Sequence, residues 1–152
     1  MTTKKLTPLT HGAPHHCFGC GEKNRTGLHL KFFVDEQSQV ISYLRLARRF
    51  EGPPGYAHGG IIATLLDEAM SKANRLHRVT AMTRQMEVEY IQPVPLLQAL
   101  TLTGRRVSLH GRKSQCEAEL ADASGKILAR GKALFITIDP EKFRSSPKDI
   151  VS

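Results

Sequence analysis

The hydrophobic pattern of this chain has one helical stretch with strand-like stretches on either side. From Ile61 onward, Ile62, Leu65, Leu66, Ala69, Met70, Ala73 and Leu76 recur at ~100° per residue and make one broad apolar side. This spacing predicts a single long helix running to about His77. Before it, residues 28–34 and 40–47 read as strands joined by a turn at Asp35-Glu36-Gln37-Ser38. After it, residues 80–91 alternate, with Met82, Met86, Val88 and Tyr90 on one face and Thr83, Gln85, Glu87 and Glu89 on the other. Pro93 and Pro95 end that run. Residues 100–109, 114–121 and 126–138 follow as a meander, turned at His110-Gly111 and at Ser124-Gly125. The order ββαββββ with one apolar helix predicts an α+β fold: one antiparallel sheet wrapped around that helix.

The other side of the helix is unusual. Gly60, Thr64, Asp67, Ser71 and Asn74 stand almost in line there, where a solvated side would carry Lys, Glu and Arg. Small polar residues imply that a ligand or a second helix packs closely, which makes Asp67 the side chain to explain. The helix is entered from Gly52-Pro53-Pro54-Gly55-Tyr56-Ala57-His58-Gly59-Gly60, a stiff loop ending in two glycines. Backbone N–H groups at a helix start lack intrahelical partners, and glycines let another group approach them closely. Gly59, with Gly60 next, is therefore a candidate donor to an anion or to a carbonyl oxygen that becomes one. His58 is placed either to bond within the loop or to touch a substrate.

The spacing constrains mechanism. Asp67 lies eight residues past Gly59, roughly 12 Å along a helix rising ~1.5 Å per residue. Reacting atoms must approach to ~3–3.5 Å, so Asp67 cannot act on a carbonyl held by its own helix start. Two antiparallel copies related by a two-fold axis bring one Asp67 to the other copy's Gly59. The expected assembly is a homodimer or a dimer of dimers, with the sites at the subunit interface.

Composition sets the frame. The 152 residues suit one domain of 16.9 kDa: a lead-in over 1–27 (loosely draped over 1–13), a core domain over 28–138 and a charged tail over 139–152. No apolar run reaches the ~20 residues of a membrane span. The first residues lack a signal peptide's apolar core, and three cysteines make no disulfide framework, so the cytoplasm is expected. The net charge of +8 suits a polyanionic partner. Nucleic acid is set aside for want of Trp, zinc-finger spacing or a helix-turn-helix. Arg112 and Lys113, at a hairpin tip, suit phosphate groups, although a solvated turn explains them too. His15, His16, Cys17 and Cys20 invite a zinc reading, but four donors within six residues strain a tetrahedron and no second ligand pair follows at the usual spacing. No metal is expected there. Cys116 alternates with Ala118 and Leu120 and reads as core.

The segment from Gly52 to Met70 resembles the active-site segment of hotdog-fold acyl-CoA thioesterases of the PaaI-like kind, especially the group around thioesterase superfamily member four. The similarity continues through Met82-Thr83, Tyr90-Ile91-Gln92-Pro93-Val94-Pro95, Gly111-Arg112-Lys113 and Ala133-Leu134-Phe135-Ile136, and includes Cys17-Phe18-Gly19-Cys20-Gly21 with Gly27-Leu28 upstream. The resemblance implies a hotdog fold and hydrolysis of an acyl-CoA to free acid and coenzyme A, with no cofactor beyond the coenzyme A of the substrate. It implies Asp67 as nucleophile or general base, Gly59 as oxyanion donor, and Thr83 as the residue orienting Asp67 or the attacking water. Ser71, one turn past Asp67, stands in reserve. His58, Gly60, Arg112 and Lys113 are the remaining substrate-binding candidates. Members active on aromatic thioesters often carry an amide in the loop before the helix. Glu51-Gly52-Pro53-Pro54-Gly55 has none, so a medium- or long-chain fatty acyl group is favoured. The alternatives are a non-catalytic hotdog module that binds acyl-CoA, and a hydratase or dehydratase, which the His58-Gly59-Gly60 loop fits poorly.

Overall fold

In the computed structural model, which describes residues 5–10 and 12–144, the helical stretch becomes α1 (Gly59–Leu76), closed by His77, whose N–H donates to the carbonyls of Asn74 and Arg75. Seven strands surround it: β1 (Thr7–Pro8), β2 (Phe33–Val34), β3 (Val40–Leu44), β4 (Ala81–Tyr90), β5 (Leu100–His110), β6 (Lys113–Asp122) and β7 (Ile127–Thr137). They form one antiparallel sheet in the order β1-β2-β3-β5-β6-β7-β4. A short α2 (Pro140–Arg144) follows. This is the α+β hotdog arrangement expected from the pattern and the resemblance.

The helix lies on the sheet with Leu65, Leu66, Ala69 and Met70 fully buried, and the sheet answers with Leu102, Leu120, Ala129 and Phe135. Two sheet glycines set the closeness of that contact. A Cβ on Gly104 would lie 2.6 Å from the Ala69 carbonyl oxygen, and one on Gly131 would press on Leu66 and Met70. The helix backbone therefore sits lower on the sheet than any side chain at Gly104 would allow.

Turns follow local chemistry. Asp35 Oδ1 accepts the N–H groups of Gln37 and Gln39, and Asp122 Oδ1 accepts those of Ser124 and Lys126 around Gly125, at φ +87°. Two expectations need correction. The strand over 28–34 shrinks to Phe33–Val34: His29 takes a left-handed φ of 51°, and the N–H groups of Leu28 and Leu30 go to the carbonyls of Phe18 and Gly19. The lead-in is not all loose, since Thr7–Pro8 pairs with β2 and Leu9 N–H reaches Phe32 O; Pro8 is tolerated because β1 is an edge strand. The tail begins with α2, and residues 145–152 lie outside the described residues.

Gly104→Ala forces a methyl group into a helix backbone that cannot swing aside. Its cost is expected at about 1–3 kcal/mol, the scale of overpacking a dense core. Urea unfolding should show the midpoint falling with an unchanged slope; a wild-type midpoint would contradict the close packing described here.

Candidate active site

The loop before α1 uses up its own backbone donors one by one. Gly52 N–H goes to Tyr56 O, Gly55 N–H to the Glu51 carboxylate, Ala57 N–H to Val94 O and His58 N–H to Phe50 O. Gly52 must be glycine, because a Cβ there would meet His58 Cα at 2.7 Å. His58 is the helix N-cap: its Nδ1 accepts the Gly60 N–H at 2.9 Å. Gly60 has thus already spent its N–H, and His58 takes the first of the two roles left open for it, bonding within the loop. Gly59 differs from both, since nothing among the described residues accepts its N–H. The first free donor of the helix is the one the sequence singled out.

Asp67 is half-buried, and Thr83 Oγ1 donates to its Oδ1 at 2.6 Å. Burial lifts the Asp67 carboxyl above its ordinary pKa; the Thr83 hydrogen bond pulls it back, and the Glu68 charge adds a smaller rise. One carboxylate oxygen is thus fixed by a hydroxyl, and the other is left to take a proton or attack carbon.

Thr83 reaches Asp67 only because β4 breaks its alternation. Thr83 pairs with Phe135 and Gln85 with the adjacent Leu134, so Arg84 is the extra residue of a β-bulge. Beyond it Met86 stands opposite Ala133, Val88 opposite Gly131 and Tyr90 opposite Ala129, all on the side of the helix. The expectation that Thr83 and Met86 lie on opposite faces is therefore corrected, and Met82, grouped with Met86, is exposed at 48%.

Sequence reasoning missed Tyr90. Its hydroxyl donates to Gly59 O at 2.9 Å, and its ring lies against Gly59. β4 thus touches the helix at both functional points, Thr83 at Asp67 and Tyr90 at Gly59. An aromatic with a polar tip, three residues before the strand-ending Pro93, was the available signal.

The other candidates divide. Ser71 is half-buried one turn past Asp67, with no hydrogen bond to it among the described residues. Asn74, the last of the polar row, is buried rather than presented at the surface. Arg112 is partly engaged already, its Nε and Nη2 donating to Thr137 O at 3.2 and 3.0 Å. Lys113 is exposed and pairs in register with Ile136, which itself pairs with Met82. The basic tip therefore lies two strands from the Thr83 end of β4, roughly 10 Å at ~4.8 Å per strand.

Gly59 tests the two explanations for a glycine. An added Cβ would find Tyr90 atoms no nearer than 3.6 Å, an ordinary contact, and the backbone φ is not left-handed. Gly59→Ala should therefore fold with a thermal midpoint equal to wild type or raised, by up to the ~0.4–1 kcal/mol gained when a compatible glycine is replaced. A lower midpoint in calorimetry would mean that the glycine serves the turn rather than a ligand.

Comparison with known proteins bears on the family and the fold. A family model described as Thioesterase superfamily matches residues 54–129, half of the chain, from the entry loop through α1 to the start of β7. Acyl-coenzyme A thioesterase THEM4 of Mus musculus is 30% identical over 112 residues, 73% of this chain and 48% of that protein. The chain spans about half the length of the curated relatives it matches. A thioesterase superfamily protein of known crystal structure superposes with a TM-score of 0.73 at 32% identity, over 76% of this chain and 57% of that one. A Streptococcus mutans protein crystallised with acetyl CoA shares the fold, with a TM-score of 0.69 at 20% identity over 77% of this chain and 94% of that one. With the loop, the helix and three of the sheet's long strands inside the matched region, the chain belongs to the thioesterase superfamily.

Proposed function

We propose that this chain hydrolyses an acyl-CoA to the free acid and coenzyme A, with the acyl group a medium- or long-chain fatty one. One observation carries the reading: a carboxylate oriented at 2.6 Å by a threonine hydroxyl, on the same helix that begins with an unengaged glycine N–H. The thioester carbonyl oxygen accepts from the Gly59 N–H, where charge develops as the carbonyl becomes tetrahedral. Asp67 attacks that carbon, giving an anhydride that water then opens, or it deprotonates the water that attacks. Coenzyme A leaves as the thiolate and takes up a proton. The relatives named as acyl-coenzyme A thioesterases support the reaction class, as does a protein of this fold that holds acetyl CoA. A module that only binds acyl-CoA needs no carboxylate fixed beside the thioester, which leaves that alternative without a role for the Thr83–Asp67 pair.

The site is shared between two copies. α1 is unbroken from Gly59 to Leu76, so Gly59 and Asp67 stay roughly 12 Å apart within one chain. β4, ten residues long, ends the sheet with its outer edge unpaired among the described residues. An edge of that length invites pairing. Two β4 edges meeting antiparallel extend the sheet across a two-fold axis and set the two α1 helices side by side, each Asp67 toward the other Gly59.

Asp67→Asn keeps size and polarity and removes the charge, so acyl-CoA binding should survive. Turnover in a thiol-release assay should fall ~10²-fold or more, the lower scale of positioned acid–base catalysis. Thr83→Ala should cost less, because its hydroxyl orients the carboxylate and does not react. Wild-type turnover by a folded Asp67→Asn protein would sink the mechanism. Lys113→Glu should raise KM for acyl-CoA with little change in kcat, since nucleotide phosphates are held equally in ground and transition states. A loss confined to kcat would remove the hairpin tip from the binding site.

A further inference from the structure

The lead-in segment meets α1 at a cluster that the reaction does not use. Residues Cys17-Phe18-Gly19-Cys20 form a turn wrapped over Glu68, the residue after Asp67. A Cβ on Gly19 would lie 2.6 Å from Glu68 Oε2, so the turn rests directly on the carboxylate, and one on Gly21 would strike the backbone of Cys17 and His15, so that glycine is needed for the turn itself. Cys17 Sγ is 3.9 and 4.0 Å from the two Glu68 oxygens, and the donor atoms of Cys17, Cys20 and Glu68 all lie within 4.8 Å of one another. On the far side of Cys20, His15 Nε2 is 4.0 Å from its Sγ.

We propose that Cys17, Cys20 and Glu68, with His15 as fourth donor, form a structural site for a divalent cation of zinc's kind, tying the lead-in to the catalytic helix. The sequence spacing argued against a metal because every counted donor lay within six residues. The fold supplies a donor that spacing could not show, fifty-one positions after Cys17. Two thiolates, an imidazole and a carboxylate are a zinc donor set. A tetrahedron with bonds of ~2.0–2.3 Å has edges of roughly 3.3–3.8 Å, so the widest separation among Cys17, Cys20 and Glu68 closes by roughly 1–1.5 Å, and His15, outside that group, swings further to complete it. Each thiol gives its proton to solvent as its sulfur takes the metal. Two thiolates, one carboxylate and one dication leave a single negative charge, and Lys72 cancels it: the Lys72 ammonium lies 3.5 Å from Glu68 and is itself buried. His15 must free Nε2, giving up the long 3.3 Å contact in which Cys17 N–H donates to its Nδ1. A cavity of about 640 Å³, lined in part by Pro14, His15, Cys20 and His29, offers an entry path. The reading does not depend on the hydrolase assignment.

The test is cobalt titration of the full chain, held reduced with a phosphine and stripped of metal by a chelator. One equivalent of Co(II) should produce a thiolate-to-cobalt charge-transfer band in the near ultraviolet and the intense visible bands of a tetrahedral site, and Zn(II) should displace both. Cys17→Ser and Cys20→Ser should each weaken the charge-transfer band, and the double variant should abolish it; Cys116→Ser should leave it intact. Glu68→Gln should weaken cobalt affinity by ~10-fold or more, the lower scale of disturbing a metal's partners. Absence of the band in the reduced wild-type protein overturns the proposal, as does a band that survives in the double variant. An affinity unchanged by Glu68→Gln overturns it also. If the serine variants fail to fold by circular dichroism, the wild-type spectrum and Glu68→Gln decide alone.

Discussion

Because α1 carries Gly59 at its first residue and Asp67 two turns later, helix rise alone fixes the distance between them, about 12 Å. Nothing in the chain can shorten that distance without breaking the helix, and the helix is clamped along its length. Its buried side lies directly on the sheet, with Gly104 and Gly131 allowing backbone and small side chains to meet. A kink would open that core. The same rigidity that makes the geometry reliable keeps one chain from completing the proposed site, and this is the physical reason that the proposal needs two copies.

Strand β4 is the second fixture. It runs alongside α1 and contacts it where the chemistry is placed: Thr83 at Asp67, Tyr90 at the Gly59 carbonyl. The bulge at Arg84 makes both contacts possible from one strand. Without the extra residue, a two-residue period would turn either Thr83 or Tyr90 away from the helix. The loop before α1 completes the arrangement by engaging its other donors, with His58 capping Gly60, so that the Gly59 N–H is left without an acceptor among the described residues.

Much of this was legible in the sequence, for identifiable reasons. The helix was visible because its apolar side is broad and continuous, and its start because two glycines follow a proline loop. The meander was visible because its turns carry Gly and Asp. Asp67 stood out as a carboxylate among small neighbours. What escaped depended on contacts distant in sequence. A bulge leaves no mark in the alternation around it, so Thr83 was placed on the wrong face even though the family resemblance named it. Residues 28–32 look like a strand, yet their backbone bonds to the Cys17–Cys20 turn instead. Glu68 sits ~100° around the helix from Asp67, off the row of small polar residues, and only the folded lead-in reveals what lies over it. His58 and Gly60 were placed correctly at the helix start, but their bond to each other is a matter of atoms that spacing does not resolve.

The claim of a shared site is tested most directly by subunit complementation. Asp67→Asn and Gly59→Val, the valine chosen to crowd the approach to the Gly59 N–H, are each expected to be inactive alone; they are unfolded together and refolded as a mixture. In a two-fold dimer, each mixed pair joins one doubly damaged site to one that takes wild-type Asp67 and Gly59 from different copies. With random pairing, the account predicts recovery of roughly a quarter of wild-type thiol release, since half the dimers are mixed and each regains one of two sites. A mixture that stays as inactive as its parents, while sedimenting as dimers that have exchanged subunits, would contradict it.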